Sequence, residues 1–162
     1  MNYSEWLLLV VIVSCGTTNT TIQHPKPVSQ QYSDEIAPYV WRFEQLLGRP
    51  VKSRIVIVAD IGKDDPTARP DVIGFCEMEN NYIEISKSYW ESVTLDAREA
   101  LLFHELGHCE LFRQHLNTYN ISIRPPLDGR ICPTSLMFWA FPPECYGTNR
   151  TYYLNELFGL EE

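Results

Sequence analysis

The stretch FHELGHCELFRQH, from Phe103 to His115, contains three of the four histidines in the chain. In a helix, residues four apart lie on one face about one turn apart, so the imidazoles of His104 and His108 can converge on a single ion. Glu105 lies about 100° further around the helix, outside the ligand set but beside the ion. The spacing predicts a zinc site on a helix.

Zinc with three protein ligands keeps a position for water and lowers the pKa of that water toward neutrality. A carboxylate beside this position can take a proton from the water and return it to a leaving amine. We therefore predict that Glu105 is the catalytic general base of a hydrolytic site. The alternative is one or two histidines that pack on an ordinary helix and bind nothing.

The third ligand is predicted to be His115. A straight helix would carry it roughly 16 Å along the axis from His104, too far to share an ion. The helix is therefore expected to end soon after Cys109 or Glu110, and the chain to turn back. A carboxylate on a later helix, from Glu144 or Glu156, is the alternative third ligand, but it leaves the third histidine unexplained.

The segments HELGHCELFRQH and CPTSLMF together resemble the metzincin metallopeptidases, whose motif H-E-x-x-H-x-x-G-x-x-H is followed by a methionine turn. The resemblance implies a zincin fold, zinc-dependent cleavage of peptide bonds, and Met137 in the methionine turn. It also implies that a tyrosine could stabilise the oxyanion. The candidates for that role are Tyr146, Tyr152 and Tyr153.

Two features depart from the metzincin pattern. The spacing to the last histidine is one residue longer, and Leu111 stands where the motif has its turn glycine. The wider run from Val72 to Phe158 is similar to small bacterial and phage metzincin-like lipoproteins.

The first fifteen residues, MNYSEWLLLVVIVSC, read as an export leader whose end is similar to a bacterial lipobox. The resemblance implies a lipid anchor on Cys15 and a location in the bacterial cell envelope. No Lys or Arg precedes the apolar run, and Glu5 stands there instead. An ordinary cleaved signal peptide or a buried N-terminal strand is the alternative. Residues 16–32, which include His24, are predicted to be a flexible tether, and residues 33–162 the metallopeptidase domain.

With the anchor cysteine set aside, an even number of cysteines remains for an oxidising compartment. Four cysteines allow three pairings. Cys109 lies on the helix away from the metal-facing side, and Cys76 ends a nearby strand, so we favour their pairing. Cys132 with Cys145 would then enclose Met137 and the methionine turn that the resemblance implies.

Net charge is −8 and no basic run occurs, which argues against a nucleic-acid partner. We expect a monomer that acts on a peptide or protein.

Hydrophobic periodicity predicts helix, three strands, helix, irregular segment and helix, an α+β fold with a short mixed sheet, an active-site helix and a C-terminal helix. The first helix should end at Gly48, the strand Arg54–Asp60 should be buried, and a capping box of Asp96 and Glu99 should start the active-site helix. A last short helix, YYLNELF, should be capped by Thr151 and closed by Gly159.

The leading hypothesis is a membrane-anchored zinc endopeptidase. A binding or structural lipoprotein stabilised by zinc, without turnover, is one alternative, and a hydrolase of cell-wall peptides is another. Glu105 favours catalysis, because a purely structural site gains nothing from an uncoordinated carboxylate beside the metal.

Overall fold

The computed structural model describes residues 32–61, 72–119 and 131–160. Its elements are α1 (Ala37–Leu47), β1 (Arg54–Val58), β2 (Gly74–Glu77), β3 (Tyr82–Ser86), α2 (Lys87–Ser92), α3 (Leu95–Leu111) and α4 (Pro143–Phe158). The predicted α+β class is confirmed.

The predicted leader, the lipobox Cys15, His24 and the tether up to residue 31 lie outside the described residues. Tyr32, the last residue of the predicted tether, already contacts the folded domain. Its side chain is buried, and its hydroxyl donates a hydrogen bond of 2.8 Å to the carbonyl of Ser53. The folded unit therefore already includes Tyr32.

The three strands form one mixed sheet in the order β1-β3-β2. β1 pairs with β3 in parallel, and β2 pairs with β3 antiparallel. Ile83 and Ile85 of the central strand are fully buried. The expectation that β1 is a buried strand is wrong, since Ile55 is its only buried residue. β1 is an edge strand here, so its β-branched side chains are covered only in part.

Two helix starts differ from the prediction. Helix α2 was not predicted, because six residues are too few to show a helical period. Its N-cap is Ser86, whose hydroxyl accepts from the amide of Tyr89. The capping box predicted for α3 is also wrong. Thr94 is the N-cap of α3, and its hydroxyl accepts from the amide of Ala97.

Glu99, which the capping box would have used, instead joins three helices. Its buried carboxylate accepts from Arg42 of α1 at 2.9 Å and from Arg150 of α4 at 2.8 and 3.0 Å. These contacts hold the pKa of Glu99 below its ordinary value although burial acts in the opposite direction. A lone buried carboxylate would be costly, whereas two guanidinium partners keep this one ionised.

The last helix is longer than predicted, because α4 begins at Pro143 and not after Thr151. Asn149 has non-helical backbone angles inside it, and this kink interrupts the periodicity of the first half. Both predicted helix stops are correct. Gly48 and Gly159 adopt the left-handed conformation at φ 73° and 64°, which glycine tolerates at no steric cost.

Helix α3 is the centre of the core and packs against α1, α4, β2 and β3. Most of its residues are buried, around the whole circumference of the helix. Its sequence therefore shows only a weak alternation between an apolar and a polar face. No helix among the described residues has the length and apolar character needed to cross a membrane.

Candidate metal centre

The structure brings the three histidines of the sequence motif together. The Nε2 atoms of His104 and His108 lie 3.1 Å apart. The Nε2 of His115 lies 3.2 Å from the former and 3.1 Å from the latter. Within the described ranges, this is the one group of three such side chains whose ligand atoms are close enough to hold a metal ion.

The other ring nitrogens of the two helical histidines contact backbone carbonyls. Nδ1 of His104 lies 2.8 Å from the carbonyl of Leu136, and Nδ1 of His108 lies 2.6 Å from the carbonyl of Arg113. A carbonyl only accepts, so each Nδ1 carries the hydrogen and each Nε2 presents a lone pair. This is the ring orientation that metal-binding histidines usually have.

The three nitrogens fit zinc. Nitrogen ligands at 2.0–2.1 Å from one tetrahedral zinc lie about 3.3–3.4 Å apart, and the observed separations are 3.1–3.2 Å. Burial lowers the pKa of His104 to about 4 and also lowers that of His108 and His115, so all three rings are neutral near pH 7. Neutral imidazoles are the form that binds metal.

His115 reaches the other two because α3 ends at Leu111. Phe112 adopts the left-handed conformation at φ 55°, and its amide bonds to the carbonyl of Gly107. The amide of Arg113 bonds to the same carbonyl at 2.9 Å. The helix thus stops about one residue later than expected and the chain turns back, although no glycine is present at the turn. The side chain of Phe112 is exposed.

Glu105 lies beside the histidines, and only 5% of its surface is exposed. Burial raises the pKa of its carboxyl to about 8. Its carboxylate packs against the backbone of β2 at Gly74, where a Cβ would lie 2.5 Å from Oε1. A carboxyl group with a pKa near neutrality can both accept and release a proton at neutral pH.

Met137 lies beneath the three histidines and is fully buried. Its sulfur packs on Gly107 of α3, where a Cβ would approach it to 2.6 Å. The amide of Met137 donates to the hydroxyl of Ser135 at 3.0 Å, and its carbonyl accepts from the amide of Leu116 at 3.0 Å. The segment that carries Met137 therefore contacts both helix α3 and the residue that follows His115.

Glu156, one of the alternative third ligands, is occupied elsewhere. One of its oxygens accepts from the guanidinium of Arg113, and the other accepts from the hydroxyl of Ser135 at 2.8 Å. Arg113 also donates to the carbonyls of Glu156 and Leu157 at the end of α4. Glu156 thus links the turn after α3 to the methionine segment. Glu144 is exposed at the start of α4, outside the histidine group.

None of the three tyrosines proposed for the oxyanion lines the cleft at the histidines. The hydroxyls of Tyr152 and Tyr153 donate to the carbonyls of Thr134 and Pro133. The hydroxyl of Tyr146 is buried, and no hydrogen-bond partner for it occurs among the described residues. The tyrosine that does line the cleft is Tyr89 of α2, a helix that the sequence did not reveal.

The histidines open into a cleft of about 550 Å³. Phe75 of β2 lines one part of it together with Ile73 and Met78, which flank the strand. The segment 138–143 lines another part, with Trp139 at the surface. Among the described residues of this lining, Glu105 is the only carboxylate, and no lysine or arginine is present. The cleft is therefore apolar around a polar centre.

The structure contains both disulfides that the sequence favoured. Cys76 of β2 pairs with Cys109 of α3, and Cys132 pairs with Cys145 of α4, each with Cα atoms 5.8 Å apart. The first joins an edge strand to the ligand helix. The second links cysteines 13 positions apart, and the segment between them contains Ser135 and Met137.

Comparison with protein-family models, with curated proteins and with solved structures gives no match for this chain.

Sequence reasoning missed several residues that shape the centre. The carbonyls of Leu136 and Arg113 leave no trace in the sequence, since every residue has one. Gly74 offered a signal, because a glycine inside a strand often marks a close approach by another group. Gly107 did so as well, because glycine in a helix interior is costly without a packing reason.

Proposed function

We propose that this protein is a zinc-dependent endopeptidase that hydrolyses peptide bonds in the cleft at His104, His108 and His115. The observation that carries the proposal is the placement of Glu105. The three Nε2 atoms converge on one point, and a buried carboxyl with a pKa near neutrality adjoins them at the wall of an open cleft.

Each residue of the site has its own role in the proposed reaction. His104, His108 and His115 would hold the zinc, and the carbonyls of Leu136 and Arg113 fix the rings of the first two. Zinc so held would supply a Lewis acid and a water of lowered pKa. Glu105 takes a proton from the attacking water and delivers it to the leaving amine.

A peptide substrate suits the shape of the cleft. β2 is an edge strand of the described sheet, and one of its two backbone edges has no strand partner among the described residues. An extended peptide can add to such an edge through main-chain hydrogen bonds. It would then run past Glu105, because β2 contacts that residue at Gly74.

The resemblance to the metzincins supports the same class. Their motif has a glycine three residues before the last histidine, and here the left-handed Phe112 lies three residues before His115. On this view the additional residue belongs to the helix, and Met137 beneath the histidines corresponds to the methionine turn. Membership of the metzincin family is part of the proposal.

Two other functions remain as alternatives. In a binding or structural lipoprotein, zinc would hold the fold together without turnover. Such a site does not need an open cleft or a buried carboxyl beside the metal, and both are present. A cell-wall peptide hydrolase would use the same centre on a different substrate. The apolar lining favours ordinary peptides with apolar side chains over that substrate.

The proposed location is the bacterial cell envelope, with the protein attached to a membrane through lipid on Cys15. This rests on the apolar run and the lipobox-like IVSC of the sequence. The two disulfides support a compartment outside the reducing cytosol.

The deciding experiment combines metal analysis with a peptide-library cleavage assay. We expect about one zinc per chain, cleavage within peptides, loss of cleavage with a chelator and recovery with added zinc. Zinc binding without cleavage of any protein, peptide or cell-wall peptide would favour the non-catalytic alternative. Cleavage of cell-wall peptides alone would favour the third function.

A further inference from the structure

The strand β2 and the helix α3 touch at two matched points. Gly74 lies against Glu105, and Cys76 is bonded to Cys109. Gly74 and Cys76 are two residues apart and share one face of the strand, about 6.6 Å apart along it. Glu105 and Cys109 are one turn apart on the helix, about 6 Å along its axis. The two elements therefore run side by side with nearly equal spacing between the contacts.

Gly74 is the place where this fit is tightest. A Cβ there would lie 2.5 Å from Oε1 and 2.9 Å from Cδ of Glu105, and 2.8 Å from a methyl of Leu101. Real Cβ atoms do not approach other atoms so closely, so any side chain at this position would displace the carboxylate. The backbone at Gly74 does not have a positive φ. Glycine is therefore required here for the space that it leaves and not for its backbone conformation.

We propose that Gly74 is a positioning residue for Glu105, and that the Cys76–Cys109 disulfide holds the strand in the register that keeps Gly74 opposite the carboxylate. Glycine at this point lets the strand backbone act as a flat wall for the carboxylate. The disulfide, one helical turn further on, prevents β2 from sliding or lifting. This inference rests on the proposed function for its effect on catalysis, but not for the contact itself.

The first test measures the contact through stability and needs no enzymatic activity. In the metal-free full chain, Gly74→Ala should lower the Tm by about 4 °C or more, because overpacking at a rigid site costs this much. In a Glu105→Ala background the same substitution should cost much less, since the clashing carboxylate is gone and the methyl of Leu101 can rotate. Equal costs in the two backgrounds would overturn the proposal.

The second test measures positioning through catalysis. Gly74→Ala should lower kcat by roughly 10-fold to 100-fold while KM and zinc content stay near those of the parent. In a Glu105→Gln background Gly74→Ala should have little further effect on residual hydrolysis, because it acts through that carboxylate. Independent, multiplicative losses would show that Gly74 acts in another way and would overturn the positioning role.

Gly147 provides a matched control on α4. A Cβ there would meet the carboxylate of Asp96, which is exposed and free to move. Gly147→Ala should therefore leave kcat unchanged.

The disulfide is tested with Cys76→Ala/Cys109→Ala, in which the Tm cost of Gly74→Ala should shrink, because β2 can then move away. If the Tm cost of Gly74→Ala were unchanged, the disulfide would have no part in positioning β2.

The two failures are distinguishable. If the parent protein cleaves no peptide while the stability coupling between Gly74 and Glu105 is present, the proposed function fails and the contact stands. If the parent cleaves peptides and the coupling is absent, the proposed function stands and the role of Gly74 is refuted.

Discussion

His104 is held in place by the backbone of Leu136, a residue thirty-two positions further along the chain. The Nδ1 of the imidazole lies 2.8 Å from that carbonyl oxygen. The next residue, Met137, packs its sulfur against Gly107, between two of the ligands on α3. The segment 132–145 therefore orients one of the three histidines through its backbone and supports helix α3 through one side chain.

The support that Met137 gives predicts a linked loss of stability and metal affinity. Met137→Ala removes a fully buried side chain and should lower the free energy of unfolding by about 2–5 kcal/mol. It should also weaken zinc binding, because the adjacent carbonyl of Leu136 would lose its fixed position. Urea unfolding and competition with a zinc chelator measure the two effects. Met137→Leu, which conserves volume, is the control and should cost less than about 1.5 kcal/mol. Unaltered zinc affinity in Met137→Ala would contradict the predicted link.

Metal binding and proton transfer should be separable at Glu105. Glu105→Gln keeps the shape of the side chain but cannot accept the proton, so it should retain about one zinc per chain and lose hydrolysis by roughly 100-fold or more. His108→Ala should lose both zinc and activity. Metal content and initial rates on one peptide check this. Hydrolysis at the parental rate in Glu105→Gln would refute the catalytic role.

The choice of third ligand is tested by comparing a histidine with two carboxylates. His115→Ala should weaken zinc binding far more than Glu156→Gln or Glu144→Gln, because its Nε2 lies 3.1–3.2 Å from those of the other histidines. Glu156→Gln keeps an acceptor for Arg113 and should affect stability more than metal affinity. Zinc titration of the parent and the three variants measures the four affinities. Parental zinc affinity in His115→Ala would move the third ligand to a carboxylate.

Burial of Glu105 predicts an unusual pH dependence for the metal-free protein. Its pKa is about 8 in the folded state against an ordinary 4.5, so the folded state binds more protons in this range and stability falls as pH rises. The histidines, with pKa values lowered from 6.5, act in the opposite direction at lower pH. Above about pH 7.5, where the histidines are uncharged in both the folded and the unfolded state, only the glutamate effect remains.

The free energy of unfolding of the metal-free protein should therefore decrease by about 1 kcal/mol between pH 7.5 and 9. Urea titrations at several pH values in the presence of a chelator measure it. Glu105→Gln should abolish the decrease, since a glutamine has no proton to lose. A parent protein with constant stability over this interval would show that Glu105 titrates normally.

Lipid attachment at Cys15 predicts that the native protein partitions into detergent when it is expressed in a bacterial host. Cys15→Ser should release or misprocess it, because two or more acyl chains hold a protein to a membrane far more firmly than one. Phase separation and mass spectrometry of the mature amino terminus check this. A mature terminus at another residue would contradict the anchor.

The sequence by itself determined the local features of this protein. Four-residue spacing fixes that His104 and His108 share a helical face, and glycine tolerance for positive φ fixes the ends of α1 and α4. Hydrophobic periodicity predicted all three strands. Each of these signals depends on residues within one or two turns, so it can be read without knowledge of distant partners.

Tertiary structure decided what depends on contacts between distant segments. Only the fold shows that the carboxylate of Glu156 binds Arg113 and Ser135, and that Glu99 pairs with two arginines instead of capping α3. The kink at Asn149 hid the first half of α4, and β1 proved to be an edge strand.

The wall of the candidate site shows the same difference between what the sequence determines and what the fold determines. The glutamate was evident from its place after His104, but the strand that faces it was not. Whether a carboxylate is solvated or buried depends on what packs against it, and here that is Gly74, thirty-one residues earlier in the chain. Sequence spacing supplies the chemical groups of the centre, whereas burial, which sets their pKa values, arises only when separate segments pack together.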